Sequence, residues 1–369
     1  MKISYTNLLL ITLFTVVTLS GQQSIFNANQ SMILSEDNER VSYKDTIFKG
    51  KQALKLDGKS SSIAFLEGLE ASNFRVEMDI AGEIMSGLGF HANDGFNYQF
   101  IYFRPGMGGT REAIQYIPIY NGALSWVFYN YPIYETIAEV KSLEWFHAAF
   151  EVRGNNLKVF VNDEKDPKMD ITLLDNPIKG GKLLLRSLFG PSYFANVTYR
   201  SLPEEDRGKR SVPNEAFLTA WEISGEFPRA DSATDFENIL NQANAAKEWK
   251  RIDVPEDNYV NLSRYFDYPK GVVVAKTTIT SETDIRKKLH FDFVGRVQLL
   301  LNGNIFFDYH KIRFERMFDG SFTIGLPLKK GDNELTVIAE GDASFFGKGF
   351  RYLGRDQHTN WGFIARLDD

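Results

Sequence analysis

Apolar and polar residues alternate along most of this chain with a period of two. Residues 74–80 read FRVEMDI and residues 146–152 read FHAAFEV, so apolar side chains recur at every second position. A β-strand with one buried face has this period, because successive side chains point to opposite sides of the sheet. Turn signals such as Gly180-Gly181 and Asn302-Gly303 separate the runs. The pattern predicts an all-β chain of antiparallel β-sandwich (jelly-roll) architecture.

The length of the chain indicates more than one domain. A single sandwich uses roughly 100–200 residues, and this chain has 369. Residues 202–214 are dense in charge and poor in core residues, which is typical of a linker. We therefore predict two sandwiches in tandem, residues 22–201 and residues 215–369. One short helix is expected in the second sandwich, within residues 233–249.

The N-terminal residues 1–21 have the pattern of a signal peptide. Lys2 provides a positive charge, residues 8–19 form an apolar run, and Thr18-Leu19-Ser20 offers small residues for cleavage. The run is shorter than the roughly 20 residues that a membrane-spanning helix needs. We expect a secreted protein (periplasmic, cell-surface or extracellular) without stable membrane insertion.

Charge and cysteine content exclude several classes of function. The net charge of −6 argues against binding to nucleic acid, which requires a basic face. The absence of cysteine excludes disulfides, thiolate nucleophiles and zinc–sulfur sites. The five histidines are scattered and form no metal-binding motif, so no transition-metal cofactor is expected.

Both predicted domains resemble known families. Residues 22–201 resemble concanavalin A-like and laminin-G-like sandwiches, and the matching segments are 102–105 (YFRP), 113–116 (AIQY), 145–148 (WFHA), 159–162 (VFVN) and 194–197 (FANV). Residues 215–369 resemble galactose-binding-like jelly rolls of secreted bacterial carbohydrate-active proteins, and the matching segments are 221–225 (WEISG), 300–303 (LLNG), 328–335 (LKKGDNEL) and 361–363 (WGF). The resemblance implies the fold, whereas the first family contains both lectins and glucanases.

Carbohydrate binding is the function that the aromatic residues favour. The predicted ligand-binding residues are Tyr102, Arg104, Gln115, Tyr116, Trp126 and Tyr129. Tyr and Trp combine a flat apolar body with a polar tip, which suits sugar rings. Tyr102 and Arg104 lie two residues apart and should share one strand face. The second alternative is a structural or protein-interaction module of the cell surface, which predicts that Trp126 and Tyr129 are buried.

The first alternative to carbohydrate binding is a glycoside hydrolase or another polysaccharide-degrading enzyme of the concanavalin-like superfamily. Related glucanases use closely spaced carboxylates, for which Glu77, Asp79 and Glu83 are the candidates. Six residues of regular strand separate Glu77 from Glu83 by about 20 Å. Retaining hydrolysis needs two carboxyl groups about 5–5.5 Å apart. A solvated strand face is therefore the favoured interpretation of these residues.

A structural calcium ion is the one metal that the resemblance suggests. Asp94, Asp163 and Asp166 lie in predicted turns and could supply carboxylate oxygens. The competing interpretation is that they only stabilise turns.

Overall fold

A computed structural model gives the structure of the protein. It describes residues 23–24, 31–34, 40–42, 45–58, 61–129, 133–162, 165–174, 180–203, 216–230, 234–254, 258–267, 271–342, 351–352 and 355–368. The predicted signal peptide, Asp163 and all but two residues of the predicted linker lie outside these ranges.

The first part of the chain is built from β-strands. They are β1 (Gln23–Ser24), β2 (Ser31–Leu34), β3 (Arg40–Ser42), β4 (Asp45–Phe48), β5 (Lys51–Leu56), β6 (Ser61–Ala71), β7 (Phe74–Gly82), β8 (Met85–Ala92), β9 (Tyr98–Phe103), β10 (Ile114–Ile119), β11 (Glu135–Thr136), β12 (Phe146–Arg153), β13 (Asn156–Val161), β14 (Met169–Thr172), β15 (Gly181–Leu188) and β16 (Ser192–Ser201). A 3-10 turn, Pro105–Met107, follows β9.

These strands form two antiparallel sheets. Sheet A has the order β14-β13-β12-β7-β16-β5-β4, with β1 paired to β16, and sheet B has the order β11-β10-β9-β8-β15-β6-β2-β3. The alternation in residues 74–80 places Val76, Met78 and Ile80 in the core between the sheets. From sheet B, Phe90 and Ile101 enter the same core. The predicted all-β sandwich is confirmed.

The second part of the chain contains the remaining strands and one helix. They are β17 (Ala220–Ile223), β18 (Phe227–Pro228), α1 (Phe236–Ala246), β19 (Lys250–Asp253), β20 (Tyr259–Asn261), β21 (Gly271–Ser281), β22 (Ile285–Leu301), β23 (Asn304–Arg313), β24 (Phe322–Leu328), β25 (Gly331–Glu340), β26 (Arg351–Tyr352), β27 (Arg355–Asp356) and β28 (Gly362–Asp368). A 3-10 turn, Leu262–Arg264, follows β20.

The long strand β22 belongs to both layers of the second sandwich. Its first half pairs with β24 and β28, and its second half pairs with β23 and β25. Gly295, with φ of 105°, lies where the partners change. Glycine tolerates this conformation because it has no Cβ. The predicted hairpin after β22 is confirmed, since Asn302 and Gly303 both have positive φ.

Helix α1 lies within the predicted range and covers part of one outer face of the second sandwich. The Asp235 side chain caps its first turn by accepting a hydrogen bond from the Asn238 amide. Its buried residues Ile239 and Ala243 pack against Val272 and Val274 of β21.

No helix in the described ranges is both long and apolar enough to cross a membrane.

The C-terminal segment of the chain crosses the outer face of sheet B. Its Tyr352 is buried in a cluster with Tyr98 and Phe100 of β9. Between these rings lies the fully buried guanidinium of Arg186, which donates to the Tyr98 hydroxyl and to Gln357 Oε1 at 2.7 Å each. The centre of the Tyr352 ring lies 4.4 Å from this guanidinium. The two sandwiches are thus packed against each other around a buried cation.

A ring deletion tests this packing. Tyr352→Ala should lower the free energy of unfolding by about 3–5 kcal/mol, because it opens a cavity beside Arg186. Phe318→Ala is the control, since that side chain is 50% exposed and its loss should change stability by no more than about 0.5 kcal/mol. Urea unfolding measures both. Equal effects of the two substitutions would contradict the packing.

Candidate carbohydrate site

A pocket opens at the end of sheet B that the C-terminal segment leaves uncovered. Its volume is about 320 Å³, and its lining residues are Ile84, Met85, Tyr102, Arg104, Gln115, Trp126 and Phe189. Tyr102 lies opposite Gln115 in the pairing of β9 with β10. Neighbouring strands therefore bring these two polar side chains together on the outer face. Four of the six predicted ligand-binding residues meet here.

Hydrogen bonds hold the floor of the pocket in one arrangement. The Tyr102 hydroxyl donates to Gln115 Oε1 at 2.8 Å, and Gln115 Nε2 donates to Glu135 Oε1. Glu135 is fully buried, and its Oε1 also accepts a hydrogen bond from Arg316 of the second sandwich. Burial raises the pKa of Tyr102, so its phenol stays protonated.

Three ion pairs join the charged side chains beside this floor. Arg104 donates through Nη1 to Glu112, Nη2 of Arg316 lies 3.3 Å from the other oxygen of Glu112, and Arg316 also pairs with Glu135. The group contains two guanidinium cations and two carboxylates. These four side chains together therefore have no net charge.

The walls of the pocket are aromatic and apolar. Trp126 is partly buried and packs edge-on against Phe314 of the second sandwich, with ring centres 5.7 Å apart. Ile84, which lies between β7 and β8, and Phe189, which follows β15, also line the pocket. Phe189 has φ of +64°, which is rare for a bulky side chain and costs of order 1–3 kcal/mol. Such strain is typical of functional sites, and here it belongs to a residue that lines the pocket.

The other two predicted ligand-binding residues, Tyr116 and Tyr129, lie in the core and not at this pocket, and their role in ligand binding stays a prediction. Tyr116 follows Gln115 by one residue and therefore points to the inner face of sheet B, where its hydroxyl donates to Gln99. Tyr129 is 1% exposed and packs against Tyr259 of the second sandwich, with ring centres 5.6 Å apart. The structural-module alternative predicted burial of Trp126 and Tyr129, and only Tyr129 is fully buried.

The three candidate catalytic carboxylates do not meet in one cleft. Glu77 and Asp79 project from the outer face of sheet A, because their neighbours on β7 fill the core. Glu83 follows β7, and its carboxylate lies near Gly190, beside the pocket. Glu83 therefore has different neighbours from Glu77 and Asp79, which lie near Arg75, Lys51 and His147.

Asp79 is held in a network of hydrogen bonds. Its carboxylate accepts from Lys51 and Asn196 at 2.6 Å each, and His147 Nδ1 lies 3.0 Å away. Burial alone would raise the pKa of Asp79, but these hydrogen bonds outweigh it and lower the pKa. These contacts are those of a polar side chain that is held in place on the outer face of the sheet.

Of the three candidate calcium ligands, Asp94 and Asp166 lie within the described residues and Asp163 lies outside them. Asp94 Oδ1 accepts hydrogen bonds from the amides of Phe96 and Asn97, at 2.7 and 2.8 Å, as an Asx turn does. Asp166 lies exposed between β13 and β14. In the described ranges, no three His, Cys, Asp or Glu side chains are placed to hold a metal ion. Calcium binding stays a prediction from the sequence.

Sequence reasoning missed Glu112, Glu135 and Arg316. Arg316 lies 181 residues from Glu135 in the chain and reaches it only because the two sandwiches pack together. A sequence pattern within one domain contains no signal for this contact.

Comparison with known proteins gives only distant structural similarity. No protein-family model and no curated protein matches the sequence. Carbohydrate-binding module CBM66 from Bacillus subtilis is 19% identical, with 50% of this chain and 98% of that chain covered and a TM-score of 0.35. A putative glycosyl hydrolase from Parabacteroides distasonis is 16% identical, with coverage of 49% and 100% and a TM-score of 0.35.

A third solved structure has a similar degree of likeness. It is domain 4 of AbnA, a GH43 extracellular arabinanase from Geobacillus stearothermophilus in complex with arabinotriose, which is 17% identical. The alignment covers 46% of this chain and 82% of that chain, with a TM-score of 0.33. Similarity at this level assigns neither a family nor a ligand to the chain.

The buried ion pair under the pocket can be tested by removing one or both partners. Arg316→Met leaves the buried Glu135 without its cation and should cost about 3–5 kcal/mol of unfolding free energy. Adding Glu135→Gln removes the unpaired charge, so the double variant should be more stable than Arg316→Met by at least about 1 kcal/mol. Urea unfolding measures the difference. A double variant no more stable than Arg316→Met would contradict this coupling.

Proposed function

We propose that the protein binds carbohydrate and that one or two sugar rings occupy the pocket beside Trp126. The observation that carries the proposal is the meeting of Tyr102, Arg104, Gln115 and Trp126 around one open pocket. The volume of about 320 Å³ lies at the lower end of the range for small-molecule sites.

The hydrogen-bonding groups suit hydroxyl ligands. The Tyr102 oxygen donates to Gln115 and can still accept a hydrogen bond, while Gln115 Nε2 has a second N–H beyond the one given to Glu135. The described contacts of the Arg104 guanidinium involve only Nη1, so it has further donors. A sugar hydroxyl both donates and accepts, and it can therefore match this mixture.

The ligand that these groups favour is a neutral sugar. Glu112 and Glu135 already neutralise the guanidinium groups of Arg104 and Arg316. An acidic sugar would have to compete with these carboxylates. The faces of Trp126 and Phe189 provide apolar surface for the C–H groups of a sugar ring.

The position of the pocket favours recognition of a chain end. Beyond the pocket, Leu124 and Tyr352 cover the outer face of sheet B. Backbone hydrogen bonds of 2.9 Å tie Leu124 to His358 and Asn360. An extended polysaccharide therefore has no open path across this face, whereas a terminal sugar unit can enter the pocket.

The sequence of the N-terminus supports a site of action outside the cytoplasm. Residues 1–21 have the pattern of a signal peptide, and glycans are abundant ligands for exported proteins. We propose that the protein meets its ligand after export.

A glycan array with the purified protein, followed by calorimetric titration of the best ligand, tests sugar binding. Arg104→Met and Tyr102→Phe should each weaken binding about tenfold, because each removes a polar contact in the pocket. Arg111→Met removes the same charge from an exposed position of the neighbouring loop and should leave affinity unchanged. Failure to bind any glycan, or equal effects of Arg104→Met and Arg111→Met, would overturn the proposal.

Matched linear and cyclic oligosaccharides of the bound sugar separate end recognition from internal recognition. The linear compound should bind in the pocket, and the cyclic one should not bind because it has no terminal unit. Titration calorimetry of both compounds measures this. Equal affinities would show that an internal segment is recognised.

A further inference from the structure

A second pocket lies on the outer face of the second sandwich, where α1 begins. The helix covers Val274, Leu300 and Ile338 on this face. Beyond the first turn of the helix, the same face opens into a pocket of about 410 Å³. Its floor includes Arg296 and Glu340, which belong to the neighbouring strands β22 and β25.

Three buried polar atoms in this pocket have no hydrogen-bond partner among the described residues. They are Glu340 Oε2, Arg296 Nε and Thr234 Oγ1. Glu340 is fully buried, and only its other oxygen is engaged, by Arg296 Nη1 at 2.9 Å and by Arg229 at 3.5 Å. Buried polar groups in proteins are nearly always hydrogen-bonded, so each of these three atoms needs a partner, which a water molecule, an ion or a ligand can provide.

The lining of the pocket has an excess of negative charge. Asp235, Glu237 and Asp308 line it together with Glu340. Arg296 is the one Lys or Arg among the described lining residues. Arg229, which also contacts Glu340, is paired with Asp342 at 2.7 Å. The electrostatic balance therefore favours a cation as the occupant.

An organic cation fits these groups better than a metal ion does. No three acidic or histidine side chains in the described ranges converge on one point, as a metal would require. An ammonium group donates three hydrogen bonds and can satisfy Glu340 Oε2 and Thr234 Oγ1. The free Arg296 Nε requires an acceptor, which a neighbouring hydroxyl oxygen provides. Phe236 lines the pocket and gives an aromatic face for the cation.

We propose that this pocket binds an amino alcohol, that is, a primary ammonium group with a hydroxyl beside it, as in an amino sugar. The site is separate from the pocket beside Trp126 and does not depend on the function proposed for that pocket. Its ligand differs in charge, since the first pocket favours a neutral sugar.

Saturation-transfer NMR with the full chain and four probes tests the proposal. Glucosamine and ethanolamine contain the ammonium and the hydroxyl, whereas glucose and N-acetylglucosamine lack the ammonium. Binding at this pocket is the part of the signal that Glu340→Gln removes. By this measure glucosamine should bind, and glucose and N-acetylglucosamine should bind at least about tenfold more weakly, because an ionic hydrogen bond is lost. Binding of ethanolamine would show that the amino alcohol alone suffices. If glucosamine binds and ethanolamine does not, the ligand is restricted to amino sugars.

Variants locate the bound probe. Glu340→Gln should weaken glucosamine binding about tenfold. Asp308→Asn, whose side chain is 28% exposed, is the second variant in case Glu340→Gln does not fold, and it should weaken binding several-fold. Asp253→Asn removes the same charge at an exposed position on β19 and should have no effect.

Three outcomes would overturn the proposal. They are failure of glucosamine to bind at this pocket, a loss of glucose binding in Glu340→Gln as large as the loss of glucosamine binding, and an effect of Asp253→Asn as large as that of Asp308→Asn.

Discussion

The buried guanidinium of Arg186 is the contact on which the arrangement of the two sandwiches depends. A charge taken out of water is costly unless it is hydrogen-bonded. Here Tyr98 from the first sandwich and Gln357 from the second both accept from it. Removing the second sandwich would expose this group together with the apolar surface around it. The two units are therefore not independent modules, and their contact decides which part of sheet B stays open.

The position of the pocket follows from this coverage. The outer face of sheet B is rich in apolar and aromatic side chains and also contains Arg186 and Gln115. Tyr352 and the segment around Leu124 cover part of it. At one end of the sheet a small pocket remains, and Arg316 from the second sandwich completes the hydrogen bonds of its floor. The covered sheet therefore leaves only a small site. Its dimensions restrict the size of the ligand more than any single side chain does.

Local features of the structure could be predicted from the sequence because their causes are local. The period of two in residues 74–80 predicted β7 and its buried face, and Asn302-Gly303 predicted a tight turn. The clustering of Tyr102, Arg104 and Gln115 was predictable because adjacent strands bring them together. Richness in aromatics does not reveal orientation. The placement of Tyr116 in the core follows instead from its position one residue after Gln115 on the same strand. The contribution of Arg316 could not be predicted, since it depends on how two domains dock.

The state of the carboxylates around the first pocket explains why binding is proposed there rather than hydrolysis. A glycosidase needs one carboxyl group that can donate a proton and another that is free to act as base or nucleophile. Glu112 and Glu135 are instead bonded to guanidinium groups, and Glu135 also accepts a hydrogen bond from Gln115. Carboxylates that are hydrogen-bonded in this way hold the polar side chains of the pocket floor in fixed orientations. Fixed polar groups beside apolar walls lower the entropic cost of binding a rigid ring, which is the property that a binding site requires.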